Sequence, residues 1–192
     1  MLSDEKLVGE IKNGNEAAME ILVNRHYNTV FTYICRRIGD YHKAYDLTQD
    51  VFVRMLGGLG NVKLQEGKFA NWLLKIAVNI CRDYYRSSTF RQMSNSCEFD
   101  EDAGLDINVI SLLERKEDIQ SIKHALSLLS EEQREAVILK YFHDRKYAEI
   151  AVITDSNEST VKSRVRQGLL KLKEILLKED NDEGRNFQGR NG

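Results

Sequence analysis

Three groups of residues in this 192-residue chain have the types and spacing to do chemistry. Ser159, Lys162, Ser163, Arg166 and Gln167 recur at helical spacing, so one face of a helix would carry them all. Arginine and lysine reach guanine edges or phosphates and serine bonds to either, so this face suits a DNA groove. Asp46, Gln49 and Asp50 fall at steps of three and four, where two carboxylates and an amide can pair with basic side chains of a partner helix. That segment has no histidine or cysteine and too few oxygens for a hard cation. The third group is Lys63, Lys68, Trp72, Asn79, Arg82 and Arg86, with Tyr84 among them. Cations for phosphates, an amide for base edges and rings for stacking are what unpaired bases need, although Trp72 suits a core position equally well.

Enzyme chemistry has little support beside these groups. The four histidines are scattered, and Gly57, Gly58 and Gly60 have neither a preceding strand nor a following Lys-Ser/Thr. No Ser/His/Asp or Cys/His order resembles a known nucleophile motif. Cys35, Cys81 and Cys97 are odd in number and widely spaced, forming no CxxC pair. The reading is a protein without catalytic residues, cofactor or metal.

The elements that must position these groups read as helices throughout. Proline is absent and apolar residues recur at three-and-four spacing. Helices are expected over Asp4 to Lys12, from about Ala18 to Gly39, over Tyr41 to Leu56 with the clustered glycines ending it, and over Phe69 to Arg86. Periodicity then fades, and residues 91 to 120 hold 3 basic and 8 acidic side chains, the reading of an acidic linker that includes Glu98, Asp100, Glu101, Asp102 and Asp106. Ser111 to Glu114 and Ser130 to Gln133 are capping-box patterns that open helices of a second block. A short helix over Tyr147 to Ile153, a turn, and a long helix from Glu158 to Lys178 complete it, with Val161, Val165, Leu169, Leu172 and Leu176 facing inward. The fold class is therefore all-α: two small helical domains, 1–88 and 111–179, an irregular linker over 89–110 and a flexible tail over 180–192. No stretch approaches the roughly 20 apolar residues that span a bilayer, and the acidic start lacks a signal peptide's apolar core. The expected location is cytoplasmic, without membrane insertion.

The short helix, turn and longer basic helix form a helix-turn-helix layout. Read together, the two blocks resemble the extracytoplasmic-function sigma factors, the first their region 2 and the second their region 4. The match lies in Glu5 to Ala17, in Asp46-Leu-Thr-Gln-Asp-Val-Phe52, in Asn71-Trp-Leu-Leu-Lys-Ile-Ala-Val-Asn79 and in Ser159-Thr-Val-Lys-Ser-Arg164. The resemblance implies a non-enzymatic subunit of bacterial RNA polymerase. It assigns Asp46, Gln49 and Asp50 to the clamp helices of the β′ subunit, with Val51 and Phe52 inward. It turns Lys63, Lys68, Trp72, Asn79, Arg82 and Arg86 to the promoter −10 element, which must be melted, and the Ser159 to Gln167 face to the −35 element. Further implied partners are the polymerase β flap and an anti-sigma factor.

Two departures from the family pattern stand out. Lys63-Leu-Gln65 replaces Phe-Arg-Gly, and Thr154-Asp155-Ser156 replaces Leu-Gly-Ile in the helix-turn-helix. Losing two buried apolar groups would cost roughly 2 to 4 kcal/mol. A reader so weakened would need the avidity of polymerase or a separate DNA-targeting recruitment partner; alternatively the turn has repacked with recognition intact. The competing function is a two-domain helix-turn-helix regulator that never joins core polymerase, which has no use for the Asp46 to Phe52 segment.

Overall fold

The computed structural model describes residues 2–60, 67–87 and 124–188, with side chains as far as Ile175. Seven α-helices and one π-helical segment are delimited among the described residues, and residues 124–127 add a further helical turn. The first block holds α1 (Asp4–Lys12), α2 (Glu16–Ile38), α3 (Tyr41–Leu59) and α4 (Phe69–Arg86). Its starts are written in side chains: Ser3, Asn15 and Asp40 each accept a hydrogen bond from a backbone N–H of the first turn. Gly39, in the left-handed region at φ 84°, ends α2 where a side chain would be strained.

The glycines expected to stop α3 do not stop it at Leu56, since the helix runs through Gly57 and Gly58 to Leu59. Their role is packing: a Cβ on Gly58 would sit 3.2 Å from the Trp72 ring, so its absence admits that ring against the end of α3. Val51 and Phe52 are buried, as expected.

The second block holds α5 (Glu131–Val137), a π-helical segment (Ile138–Phe142), α6 (Tyr147–Thr154) and α7 (Glu158–Gln188). Ser130 and Gln133 make both bonds of the capping box; the one at Ser111 lies outside the described residues, as does the linker. The helix opened at Ser130 widens after Val137 into the π segment, which ends at His143, with Asp144 next in the left-handed region at φ 49°. Helix α7 continues to Gln188, past the boundary at Lys178 and into the stretch read as a tail. Its inward stripe also differs. Val161 and Val165 are buried, but Leu169 is exposed and Gly168 takes the inward place. A Cβ at Gly168 would meet Val137 Cγ2 at 2.8 Å, so α5 and α7 approach too closely for a side chain there.

The two blocks are docked. Helix α4 packs on α6, α2 packs on the π segment, and one apolar cluster runs from Leu7 to Val165 through both.

Candidate functional site

Helix α3 presents the first of the expected faces. Asp46, Gln49 and Asp50 are all exposed, and Lys43 lies 3.8 Å from Asp46. Interleaved with them are three large apolar side chains in water: Val53 is 68% exposed, Tyr45 47% and Leu56 40%. An acidic and apolar strip on a well-packed helix suits a protein surface rather than a polyanion. The apolar members were not among the expected site residues; their signal in the sequence is their spacing out of phase with buried Leu47, Val51 and Met55.

Helix α7 presents the second. Ser159, Lys162, Ser163, Arg166 and Gln167 are brought together and exposed. The Lys162 ammonium lies 2.7 Å from Glu158 and 5.8 Å from the Tyr147 ring centre, and the Glu158 carboxylate raises its pKa. Gln167 Oε1 accepts a long 3.5 Å bond from Gln133 Nε2. The turn feeding this helix is internally satisfied. Thr154 is buried with Oγ1 donating to the Ile150 carbonyl at 2.8 Å, Asp155 caps α6 in the left-handed region at φ 52°, and Ser156 Oγ accepts from Arg164 at 2.8 Å. This favours the repacked turn over a defective one.

The third face lies on α4, where Lys68, Trp72, Asn79, Arg82 and Arg86 fall along one side at steps of four, seven, three and four. Lys63 lies outside the described residues. Lys68 and Arg86 are exposed at the two ends, and Asn79 is half-buried between them. Trp72 is half-buried against Phe69, ring centres 5.7 Å apart, and over Gly58, so its inner edge belongs to the core. Arg82 is engaged by the second block: Nη2 and Nε donate to Glu135 at 2.7 and 3.2 Å, and Nη2 also reaches the Thr154 carbonyl at 3.2 Å.

Two more α4 side chains follow it. Lys75, on the same side between Trp72 and Asn79, meets Asp155 at 2.5 Å. Asn71 donates to Glu149 at 2.8 Å and accepts from Arg145 at 3.2 Å. Lys75, Glu135 and Asp155 escaped sequence reasoning. Lys75 does keep the α4 spacing, and Glu135 is an acid directly before the apolar run Ala136 to Leu139.

Electrostatics at this junction is set by burial. Glu135 is 2% exposed, and desolvation pushes its carboxyl above the ordinary range against the pull of Arg82 and Arg37. Arg37 is 1% exposed, with its guanidinium over the Tyr85 ring at 4.8 Å and Glu131 at 3.7 Å. Burial pushes the Cys81 thiol to about 12, which makes it inert rather than redox-active. No group of three or more histidine, cysteine or acidic residues that could hold a metal exists among the described residues, and no helix there is long and apolar enough to cross a membrane.

Comparison with known proteins agrees with this layout. Residues 22–91 match the family model Sigma-70 region 2, and residues 119–172 match Sigma-70, region 4. The chain is 29% identical over 176 residues to the ECF RNA polymerase sigma factor BldN of Streptomyces coelicolor, covering 89% of this chain and 65% of BldN. It is 26% identical over 187 residues to the RNA polymerase sigma-H factor of Pseudomonas aeruginosa, covering 92% of this chain and 96% of that protein. The structure of the sigma factor RpoE in complex with the anti-sigma factor NepR from Bartonella quintana superposes with a TM-score of 0.63 at 23% identity, over 82% of this chain and 95% of that one, a likeness of fold. The chain belongs to the extracytoplasmic-function group of sigma-70 RNA polymerase sigma factors.

Proposed function

We propose that this chain joins core RNA polymerase and directs promoter-specific initiation. Residues 1–88 would bind core and melt the −10 element, and residues 111–179 would contact the −35 element and the β flap. Asp46, Gln49 and Asp50 pair with basic residues of the β′ clamp helices while Tyr45, Val53 and Leu56 give the contact its apolar area. On α4 and the residues before it, Lys63, Lys68, Arg82 and Arg86 hold the phosphates of the opened strand, and Asn79 takes a base edge with Trp72 beside it. On α7, Ser159, Lys162, Ser163, Arg166 and Gln167 face the −35 groove. An anti-sigma factor, the partner of RpoE in the Bartonella quintana complex, is proposed for this chain as well.

The observation that carries this reading is the acidic and apolar strip of α3. A helix-turn-helix regulator acting alone has nothing to place on it, whereas a polymerase subunit does. The experiment is to incubate the purified chain with core polymerase and genomic DNA and to sequence the 5′ ends of the transcripts. Starts that appear only with the chain, preceded by a shared pair of upstream motifs, are expected. DNA binding without any core-dependent start would overturn the reading in favour of the free-standing regulator.

A further inference from the structure

Helix α4 begins unlike the three helices before it. Helices α1, α2 and α3 are each capped by the residue at their own start, whereas Lys68, at the start of α4, makes no side-chain cap bond, since an ammonium has no acceptor to offer a first-turn N–H. The backbone there is fixed from elsewhere. The Gly67 N–H donates to Glu5 Oε1 at 2.8 Å, a bond that spans 62 positions of the chain and joins the first turn of α1 to the approach of α4. Gly67 holds the left-handed conformation at φ 72° with open space where a Cβ would stand, so its backbone and not its packing requires glycine. A carboxylate on a backbone N–H makes a charge-assisted bond, about twice as strong as a neutral one. The Glu5 carboxyl is held below its ordinary range by its own backbone N–H first and by that of Gly67 next.

The neighbouring acid makes the placement of Glu5 firm. Asp4 accepts from Arg25 Nη1 at 2.6 Å and meets His26 Nε2 at 2.9 Å, and the His26 ring lies 5.0 Å from the ring of buried Phe69, the first residue of α4. With Leu7 and Val8 buried directly after, α1 cannot slide without disturbing the core. Two adjacent acids of α1 thus bear on consecutive parts of the entry to α4, Glu5 on the backbone at Gly67 and Asp4, through His26, on Phe69.

We propose that Glu5 is a positioning residue for −10 recognition: from α1 it fixes the Gly67 backbone, and with it the Lys68 and Trp72 end of α4, against the opened strand. This rests on the −10 role proposed for α4, and it names a residue that touches no DNA yet sets how well one base is told from another. The reason is geometric. Lys68 follows Gly67 directly, its carbonyl accepts the opening bond of the helix from the Trp72 N–H at 3.1 Å, and Lys63 lies four residues before Gly67 in the chain. Phosphate contacts set the register in which bases are read. Rotation at an unanchored glycine would leave Lys63 and Lys68 able to reach phosphates, but without one fixed register for the base at Asn79.

Two variants of equal charge separate the bond from the charge: Glu5→Ala removes the acceptor, and Glu5→Gln keeps an acceptor oxygen in its place. In the isotope-labelled full chain, the Gly67 amide proton resonance should follow the Glu5 titration, with a midpoint below that of an ordinary glutamate. A Gly67 amide insensitive to that titration overturns the anchor without any polymerase. With core polymerase and a template library randomised over the −10 element, Glu5→Ala should lower the preference for favoured over disfavoured sequences about five-fold, near the low end of what one wrong base costs. Glu5→Gln should retain most of the preference. Transcripts reduced alike from every template would mark a merely structural loss, and equal loss of preference in both variants would assign the effect to charge; either result overturns the proposal. Core-dependent starts whose −10 preference is unchanged in Glu5→Ala would refute the positioning role alone. No core-dependent start with wild type would refute the sigma reading together with the role that rests on it.

Discussion

Helices α3 and α4 are neighbours in one bundle with similar lengths and equally well-buried inner sides, yet the outer side of one is open and that of the other is covered. On α3, Asp46, Gln49, Asp50 and Val53 stand in solvent. On α4, Lys75 and Arg82 are paired across the junction. The difference follows from charge. The chain carries its own complement to a cationic helix, in Glu135, Glu149 and Asp155, whereas the acidic and apolar side of α3 meets no counterpart in the docked second block, whose basic face stays exposed. A face that the molecule satisfies internally is one whose use can be switched; a face it leaves unsatisfied is available whenever the partner is present.

The largest expected way to break this contrast is acid. His143 sits where the π segment meets α2, its ring 5.7 Å from Tyr33 and its Nε2 buried without a hydrogen bond. Burial, with Arg36 and Arg145 nearby, lowers its pKa from 6.5 to about 4. A histidine depressed in the fold stays neutral there while the unfolded or undocked form takes a proton. The stability it permits is full above pH 6.5 and is lost as pH falls towards 4, up to about 3 kcal/mol and about 2 kcal/mol by pH 5. His26, also lowered chiefly by burial, acts in the same direction within the first block. His143→Phe keeps the ring contact and removes the proton site. Its denaturation midpoint should fall less than that of wild type between pH 7.5 and 5; equal falls would show that the α2 junction is not where acid acts.

The next largest effect tests the open side. Replacing Asp46, Gln49 and Asp50 by alanine should weaken association with core polymerase about thirty-fold, about 2 kcal/mol, with unchanged helical content, because all three side chains project into solvent. The interdomain distance of the free chain should not change, since none of the three touches the second block. Co-elution with core as strong as wild type would remove the assigned interface, and a changed distance would show that the two sides are coupled.

A smaller effect is expected at Asn79. Because it should act only on an unpaired base, Asn79→Ala should lower open-complex formation about ten-fold on duplex DNA, about 1.4 kcal/mol, and largely recover on a template already mismatched across the −10 region. Equal loss on both templates would make Asn79 a packing residue of α4.

What could be read from the sequence followed from local rules. The bounds of α1 and α4, the inward placement of Val51 and Phe52, and the exposure of the five α7 side chains all come from periodicity and capping, which act within a few residues. Gly58 and Gly168 were opaque for the opposite reason. Each is a glycine because another helix lies close, Trp72 of α4 in one case and Val137 of α5 in the other, and nothing within a turn of either records that neighbour. Arg82 shows the same limit at the site. Its type and position announced a phosphate ligand, but its present partner, Glu135, is 53 residues away, and the docking that joins them depends on the acidic surface of a different block.

The smallest expected effect concerns the turn, where the departure from the family pattern had suggested a weakened reader. Thr154→Leu, Asp155→Gly and Ser156→Ile together restore that pattern. Leucine at the buried Thr154 site adds apolar burial of about 1.5–3 kcal/mol at most, but forces a larger group into filled space at a cost of about 1–3 kcal/mol. Glycine relieves the left-handed conformation of Asp155, about 1 kcal/mol, yet removes the ion pair to Lys75, an exposed contact worth up to about 1 kcal/mol. Isoleucine withdraws the acceptor that Ser156 gives Arg164, again about 1 kcal/mol. These terms nearly cancel, so the denaturation midpoint of the full chain should shift by no more than about 1 kcal/mol. Affinity for a −35 duplex should hold as well, since the α7 face is untouched. A gain above about 2 kcal/mol would mean that the polar turn is a defect, and would return weight to a separate DNA-targeting partner that recruits the chain. Near-neutral stability combined with a longer interdomain distance would instead show that these three residues are kept for what they hold on α4.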